Sequence, residues 1–297
     1  MAGEYGLLEP EEVEGVGDEW GDIDFSDDEA DRIARERDRE FAQFRKRLQN
    51  TEQFKVAGSV FDDATYAAIY KLVQDGHVTA MGGPISSGKE ATVFEAHGPG
   101  DDDVAIKIYR INASDFTHMR EYLEGDPRFE GIGSDKKKVV LAWVRKEFAN
   151  LQRASAGGVR VPEPIAVQRN VLVMEYLGRE GHPAPTLDDA HLENPETAYG
   201  VVAEYTRRLY RAGLIHGDLS EYNLVVWNGE LCVIDVGQAL TVQHPNAEEY
   251  LRRDCRNVTS FFSRQGLEVP AEGLYEYVTG DDDGVIDFEG GVTPGNE

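Results

Sequence analysis

LIHGDLSEYNLVVWNGELCVIDVGQAL, residues 214–240, is the stretch whose reading decides the fold. Its second half reads as a β-hairpin. Two runs rich in β-branched residues flank Asn228-Gly229, the dipeptide that best tolerates a tight turn with both central residues at positive φ. A two-residue turn there sets Asn223 opposite Ile234 and diagonal to Asp235, so two oxygen-bearing side chains meet across the hairpin. Asp218 comes five residues before Asn223, in a HisGlyAspLeuSer segment with no regular period that reads as an ordered loop. That spacing lets Asp218 face a substrate while Asn223 and Asp235 hold a hard cation such as Mg²⁺, which takes carboxylate and amide oxygens. Three unrelated polar residues around a surface hairpin would read the same way if nothing else supported them.

Working outward, the 297 residues are 40% hydrophobic, enough for a sizeable core or two lobes. The formal charge is −26, from 56 acidic and 30 basic residues, which repels nucleic-acid phosphates unless basic residues cluster. Residues 1–31 contain 13 acidic residues and no Lys or Arg, the composition of a disordered segment. The remainder is still acidic, as suits a salt-rich interior where screening makes dense carboxylates tolerable. Two cysteines, Cys232 and Cys255, make no disulfide framework and have no zinc spacing. With no secretory leader pattern and no long apolar run, the expectation is a soluble cytoplasmic protein with no membrane and no DNA partner.

Upstream, residues 32–50 read as a charged helix, and the folded region is expected to start near residue 54. Asp62 or Asp63 caps a helix carrying Tyr66, Ile69, Tyr70 and Val73, and Gly76 ends it. Residues 82–97, GGPISSGKEATVFEAH, nearly match a Walker phosphate loop, but Glu90 stands where a hydroxyl should be and a strand follows instead of a helix. The better reading is a flexible loop between two strands, with backbone N–H groups of Ser86, Ser87 and Gly88 able to cover phosphates, and Lys89 beside them. A plain surface turn is the alternative.

In the next strand, residues 104–109, Lys107 shares one face with Ala105 and Tyr109, while Ile106 and Ile108 take the other. Period alone leaves open whether that face meets solvent or a cleft. Residues 136–153 form an amphipathic helix with Val140, Val144, Phe148 and Leu151 as its stripe. Glu147 borders the stripe, either as an ordinary surface carboxylate or within reach of Lys107. A buried strand then ends at Met174, Glu175, Tyr176 and Leu177, where the chain can cross between lobes. Helices follow at 196–213 and from Pro245, and the end of the chain looks loosely held.

The ordered series of Gly-rich loop, strand Lys107, helix Glu147, HisGlyAsp, Asn223 and hairpin Asp235 resembles the protein kinase fold. Within it, ISSGKEA (85–91), HGDLSEYN (216–223) and IDVGQ (234–238) resemble the RIO kinases, specifically the RIO1 branch in its archaeal form. The resemblance covers about residues 60–265. It implies an α+β, two-lobed fold: an N-terminal extension over 1–53, a kinase domain over 54–270 divided near 174–178, and an acidic tail over 271–297. It also implies ATP with Mg²⁺, or Mn²⁺ in its place. Lys107 would pair the phosphates and Glu147, Asp218 would be the catalytic aspartate, and Asn223 with Asp235 would carry the metal. Ser86, Ser87, Gly88 and Lys89 would lie in the phosphate loop, and Met174, Glu175 and Leu177 at the adenine end.

The departure from ordinary protein kinases is the short run from Asp235 to the next helix, which leaves no room for a long activation loop. Proteins of this family act in maturation of the small ribosomal subunit, and some are ATPases that transiently phosphorylate the hairpin aspartate. The expected partner is therefore the pre-small ribosomal subunit, RNA and protein, with Lys136 to Lys138 and Arg252, Arg253 and Arg256 as its basic contacts. A small-molecule phosphotransferase and a non-catalytic nucleotide-binding scaffold are the competing classes. The second would lack at least one of Lys107, Asp218, Asn223 and Asp235.

Overall fold

The computed structural model describes residues 60–111, 116–124, 126–129, 135–179 and 181–280, together with three residues near 44 and two short strands at 285–287 and 291–293. The charged helix expected over 32–50 and the acidic N-terminal segment lie almost wholly outside the described residues. Helix α1, Asp63–Gln74, begins where Asp62 accepts the Thr65 N–H at 2.7 Å and stops at Gly76, whose φ of 82° suits glycine. Strands β1 (Ala80–Ser87), β2 (Ala91–His97) and β3 (Asp103–Tyr109) follow as a meander. After helix α2 (Phe116–Leu123) and helix α3 (Lys136–Ala156), strands β4 (Pro164–Gln168) and β5 (Val171–Glu175) complete an antiparallel sheet of order β1-β2-β3-β5-β4.

The sheet settles the question of Lys107. Ile106, Ile108, Phe94, Val171 and Val173 pack with Tyr66, Ile69 and Leu72 of α1 in one core. The opposite face, with Lys107 and Tyr109, is left to α3. That helix is buried far more widely than a single stripe: Val139 to Val144, Lys146, Glu147, Asn150 and Leu151 are all inside, whereas Phe148 is only partly covered.

A small ribbon, β6 (Gly178–Arg179) with β7 (His182–Pro183), leads to the second lobe. There α4 (Pro195–Arg211), β8 (Leu214–Ile215), the hairpin β9 (Leu224–Trp227) and β10 (Glu230–Val233), β11 (Leu240–Thr241) and helices α5 (Ala247–Arg264) and α6 (Ala271–Thr279) enclose the main core. The hairpin has the expected register, Glu230 opposite Trp227 and Val233 opposite Leu224. Its turn residues Asn228 and Gly229 have φ of 51° and 83°, the type I′ geometry that the dipeptide favours.

Two expectations are corrected. Residues 82–87, expected as flexible loop, are strand, because β2 offers a ladder and a bulge near Pro84 absorbs the proline. The tail expected from residue 271 begins with α6, which buries Leu274, Tyr277 and Val278 against the core, while Tyr277 donates to Glu204 at 2.8 Å. Leu274→Ala should therefore destabilise the lobe by about 2–5 kcal/mol through its cavity. A urea denaturation midpoint equal to that of the unaltered protein would show that α6 is dispensable.

Candidate active site

Lys107 lies at the centre of the junction. Its Nζ donates to Glu147 Oε1 at 2.7 Å and to Asp235 Oδ1 at 2.8 Å, and Tyr109 donates its hydroxyl to the other oxygen of Glu147. Burial works to lower the Lys107 ammonium, but the Asp235 and Glu147 carboxylates outweigh it and hold the group well above its ordinary value. For Glu147, burial prevails over Lys107 and raises the carboxyl. Asp235 is lowered, first by Lys107, against its own desolvation. Half of its side chain remains exposed, so the carboxylate stands at the mouth of the cleft with one oxygen fastened to Lys107.

Asp235 has a left-handed backbone, φ 59° and ψ 54°, which costs a non-glycine residue about 1 kcal/mol or more. Its neighbours hold it there. Ile234 N–H donates to Asn223 O at 3.0 Å, and His216 Nε2 meets Ile234 O at 3.1 Å. Because His216 Nδ1 accepts from the Asp218 N–H at 3.3 Å, the ring proton belongs on Nε2. Asn223 Nδ2 donates to Asp218 O at 2.9 Å, leaving its amide oxygen for another partner. The half-buried Asp218 carboxylate accepts no hydrogen bond among the described residues. It is thereby available as an acceptor for a proton on an incoming hydroxyl or water.

The loop carrying Asp218 is anchored from α5. Asp254 accepts from the N–H groups of Gly217 and Leu219 at 2.8 and 2.9 Å. Arg253 donates to Gly217 O, and Asn257 to Leu219 O at 3.2 Å. Gly217, φ 80°, has a backbone that suits glycine, and a Cβ there would crowd Gln238 O at 3.2 Å. The sequence reading missed this anchor and assigned Arg253 to a basic surface. A signal was present: Asp254 stands between Leu251, Cys255 and Val258 on the apolar side of its helix.

Of the expected phosphate loop, Ser86, Ser87, Gly88 and Lys89 are all exposed at the β1–β2 tip. Ser86 pairs with Val93 and Val93 with Lys107, so Ser86 is on the face of the sheet that carries Lys107. Gly88 N–H does not point at a ligand: it closes the turn on Ala91 O at 2.9 Å. At the far end, Met174 pairs with Ala105 and shares the Lys107 face. Glu175 turns the other way, its carboxylate bound to Arg160 at 2.7 and 2.5 Å, so only its backbone can serve an adenine. Leu177 packs with Val225 and Cys232.

Three buried residues, Lys146, Asn150 and Asp126, and the partly buried Arg128 complete the surroundings, none of them singled out from the sequence. Lys146 donates to Gly237 O, Asn150 to Val236 O and Ala239 O, and Arg128 bridges Asp126 and Asn150. Burial, with Arg128 nearby, pushes the Lys146 ammonium down to about 7. Asn223 and Asp235 together suit Mg²⁺, an ion that takes one or two protein oxygens and completes its shell with water and phosphate. No helix among the described residues is long and apolar enough to cross a membrane.

A small antiparallel sheet with a buried Lys–Glu pair, joined to a helical lobe that presents HisGlyAsp, Asn and Asp at the junction, defines a phosphotransferase of the protein-kinase fold. The profile of the RIO domain matches residues 92–273. The RIO-type serine/threonine-protein kinase Rio1 of Haloferax volcanii is 69% identical over 95% of this chain and 97% of its own. The Rio1 of Methanocaldococcus jannaschii is 40% identical over 84% and 87%. Among solved structures, the Rio2 kinase of Chaetomium thermophilum, 24% identical, shares the fold with a TM-score of 0.56 over 73% of this chain and 68% of that one. The chain belongs to the RIO family, in its archaeal RIO1 branch, and is a serine/threonine-protein kinase.

Burial pushes the Asp254 carboxyl up from 3.8 to about 6, against His216 and the two N–H donors. A folded state that holds this proton more tightly gains stability as pH falls: the contribution is complete below 3.8 and lost as pH rises through about 6. Asp254→Asn removes it and sets an amide against one N–H, a loss of about 1–3 kcal/mol. Denaturation across this pH range should show the wild type gaining on Asp254→Asn as the solution becomes more acidic. Parallel stability curves would mean that Asp254 does not titrate in the folded protein.

Proposed function

We propose that the chain is an ATP- and Mg²⁺-dependent RIO1 kinase whose main working chemistry is ATP hydrolysis through a phosphorylated Asp235, acting on a precursor of the small ribosomal subunit. The observation that carries the reading is Asp235 itself: an ionised, half-exposed carboxylate with one oxygen held by Lys107. From Asp235 the chain runs through a short turn and β11 directly into α5. An extended peptide therefore finds no long activation segment to lie on. A related Rio2 kinase of Chaetomium thermophilum is known as an ADP/Mg²⁺-phosphoaspartate complex, which supports the same chemistry here.

The steps follow from the residues. Lys107 orients the phosphates, and Ser86, Ser87 and Lys89 cover them from the hairpin tip. The free Asp235 oxygen attacks the γ-phosphorus as the bond to the β-phosphate oxygen breaks, giving ADP and an acylphosphate. Water then attacks the same phosphorus, the bond to Asp235 breaks, and Asp218 takes the water proton, releasing phosphate. Asn223 and Asp235 would hold the divalent ion, Mg²⁺ or Mn²⁺, which neutralises phosphate charge. Phosphorylation of a protein serine uses the same Asp218 on a hydroxyl and is the secondary activity. The ribosomal partner rests on family likeness; of the basic residues named for that contact, Arg252 and Arg253 are engaged within the chain.

Lys107→Ala should lower ATP turnover by roughly 10²–10³-fold, since preorganised charge at a desolvated phosphate is worth several kcal/mol, and Glu147→Gln less so. Turnover at the wild-type rate would remove Lys107 from the site. With γ-labelled ATP and small-subunit precursors, the protein should take up label that hydroxylamine releases, and Asp235→Asn should take up none. Label that resists hydroxylamine, with rapid phosphorylation of an added ribosomal protein and no hydrolysis in its absence, would overturn the ATPase-first reading.

A further inference from the structure

The turn that follows Asp235 has little to hold it from within. Among the described residues its internal backbone bond is Ala239 N–H to Val236 O, at 3.1 Å. Val236 and Ala239 are buried in the main core, and three further hydrogen bonds come from one face of α3. Lys146 Nζ reaches Gly237 O at 3.0 Å, and Asn150 Nδ2 reaches Val236 O at 3.0 Å and Ala239 O at 3.2 Å. Both donors are fully buried. The Asn150 amide is itself oriented, because its oxygen accepts from Arg128 at 3.2 Å, and Arg128 is clamped by the buried Asp126 at 2.7 Å. Trp143, one turn before Lys146, fixes the closeness of approach: a Cβ on Gly237 would lie 3.1 Å from its indole nitrogen. Residues 143, 146 and 150 thus share one side of the helix, and Glu147, next to Lys146, holds Lys107.

We infer that Lys146 and Asn150 are positioning residues for Asp235: by fastening three carbonyls of the turn, those of Val236, Gly237 and Ala239, they fix the left-handed backbone at 235 and so aim its carboxylate at the metal. This rests on the reading of Asp235 as a metal-binding and phosphate-accepting group. Neither residue touches the nucleotide or the reacting atoms. They act through the backbone of residues 236–239, as outer-shell groups around metal ligands do, where removal typically weakens metal binding by about 10–100-fold.

The test begins without metal. In nucleotide-free full-length protein, Lys146→Met and Asn150→Ala should speed amide hydrogen exchange over residues 235–240 by about tenfold, with α4 and the β4–β5 pair unchanged. Titrating Mg²⁺ into each ADP-bound variant should then show an apparent constant raised at least tenfold, while ADP binding without Mg²⁺ matches the wild type. Saturating Mg²⁺ should restore most of the ATP turnover. Gly237→Ala, which presses the turn off Trp143 while keeping both donors, provides the same readings should a buried substitution prevent folding. An unchanged Mg²⁺ requirement in all three variants, whether or not turnover falls, would overturn the inference. Asp235→Asn in the same titration separates the two levels: if it also leaves the Mg²⁺ requirement unchanged, the role of Asp235 fails and this inference fails with it.

Discussion

A buried ammonium between two carboxylates sets the terms for everything around it. Lys107 has only a small part of its surface in water, and an unpaired charge in such a place costs several kcal/mol. Glu147 and Asp235 answer it from opposite lobes, so the same contact that stabilises the lysine joins the sheet to the second lobe. The pairing is uneven: one positive group faces two negative ones. The excess charge resides on Asp235, the member with access to solvent, where the proposed cation would meet it. Nucleotide phosphates would otherwise meet a carboxylate there.

Such a centre requires a helix that is polar inside. Glu147 belongs to the sheet, Lys146 and Asn150 to the turn after Asp235, and the apolar residues between them to the core of both lobes. Each buried polar group on that helix has a destination, which is the condition for burying it at all. The short connection from Asp235 to α5 has a parallel effect. It brings α5 beneath the HisGlyAsp loop, where Asp254 and Arg253 take the backbone groups that the loop cannot pair within itself.

The parts of this arrangement legible from residues alone were those fixed by local rules. Asn228-Gly229 specified a turn, the turn specified a register, and the register brought Asn223 to Asp235. The faces of β3 followed from alternation, although only packing could show that α1 covers one face and α3 the other. Periodicity failed where polar residues occupy the interior. Lys146, Asn150 and Asp254 look like solvent positions to any rule that sorts helix faces by hydrophobicity, because their partners are backbone carbonyls and N–H groups some 35 to 91 residues away. The Gly- and Ser-rich segment 82–87 misled in the opposite direction: its composition favours a loop, but a waiting partner strand overrode it. In α6, acidic neighbours concealed Leu274, Tyr277 and Val278, whose spacing of three and four marks a helix face.

The charge of the chain bears on how this centre meets its substrate. Many of the basic side chains in the described residues are tied to carboxylates of the chain itself: Arg160 to Glu175, Arg208 to Glu204, Arg252 to Glu248 and Glu272, Arg264 to Glu221. Most of these pairs are exposed and each contributes little to stability. Their larger effect is that these basic side chains offset little of the formal charge of −26, a net charge whose field opposes the approach of ATP. Two things offset it. Salt shortens the reach of that field, to about 3 Å at 1 M, whereas the Lys107 contacts lie within hydrogen-bond distance in a desolvated cleft and are screened far less. In the proposed site, a cation on Asp235 and Asn223 would turn the exposed Asp235 carboxylate from a repulsive group into a bridge to phosphate. High salt and a divalent ion therefore act on different obstacles, the first on approach over the surface and the second on binding at the mouth. An acidic protein can in this way keep a phosphate site without a basic surface to advertise it.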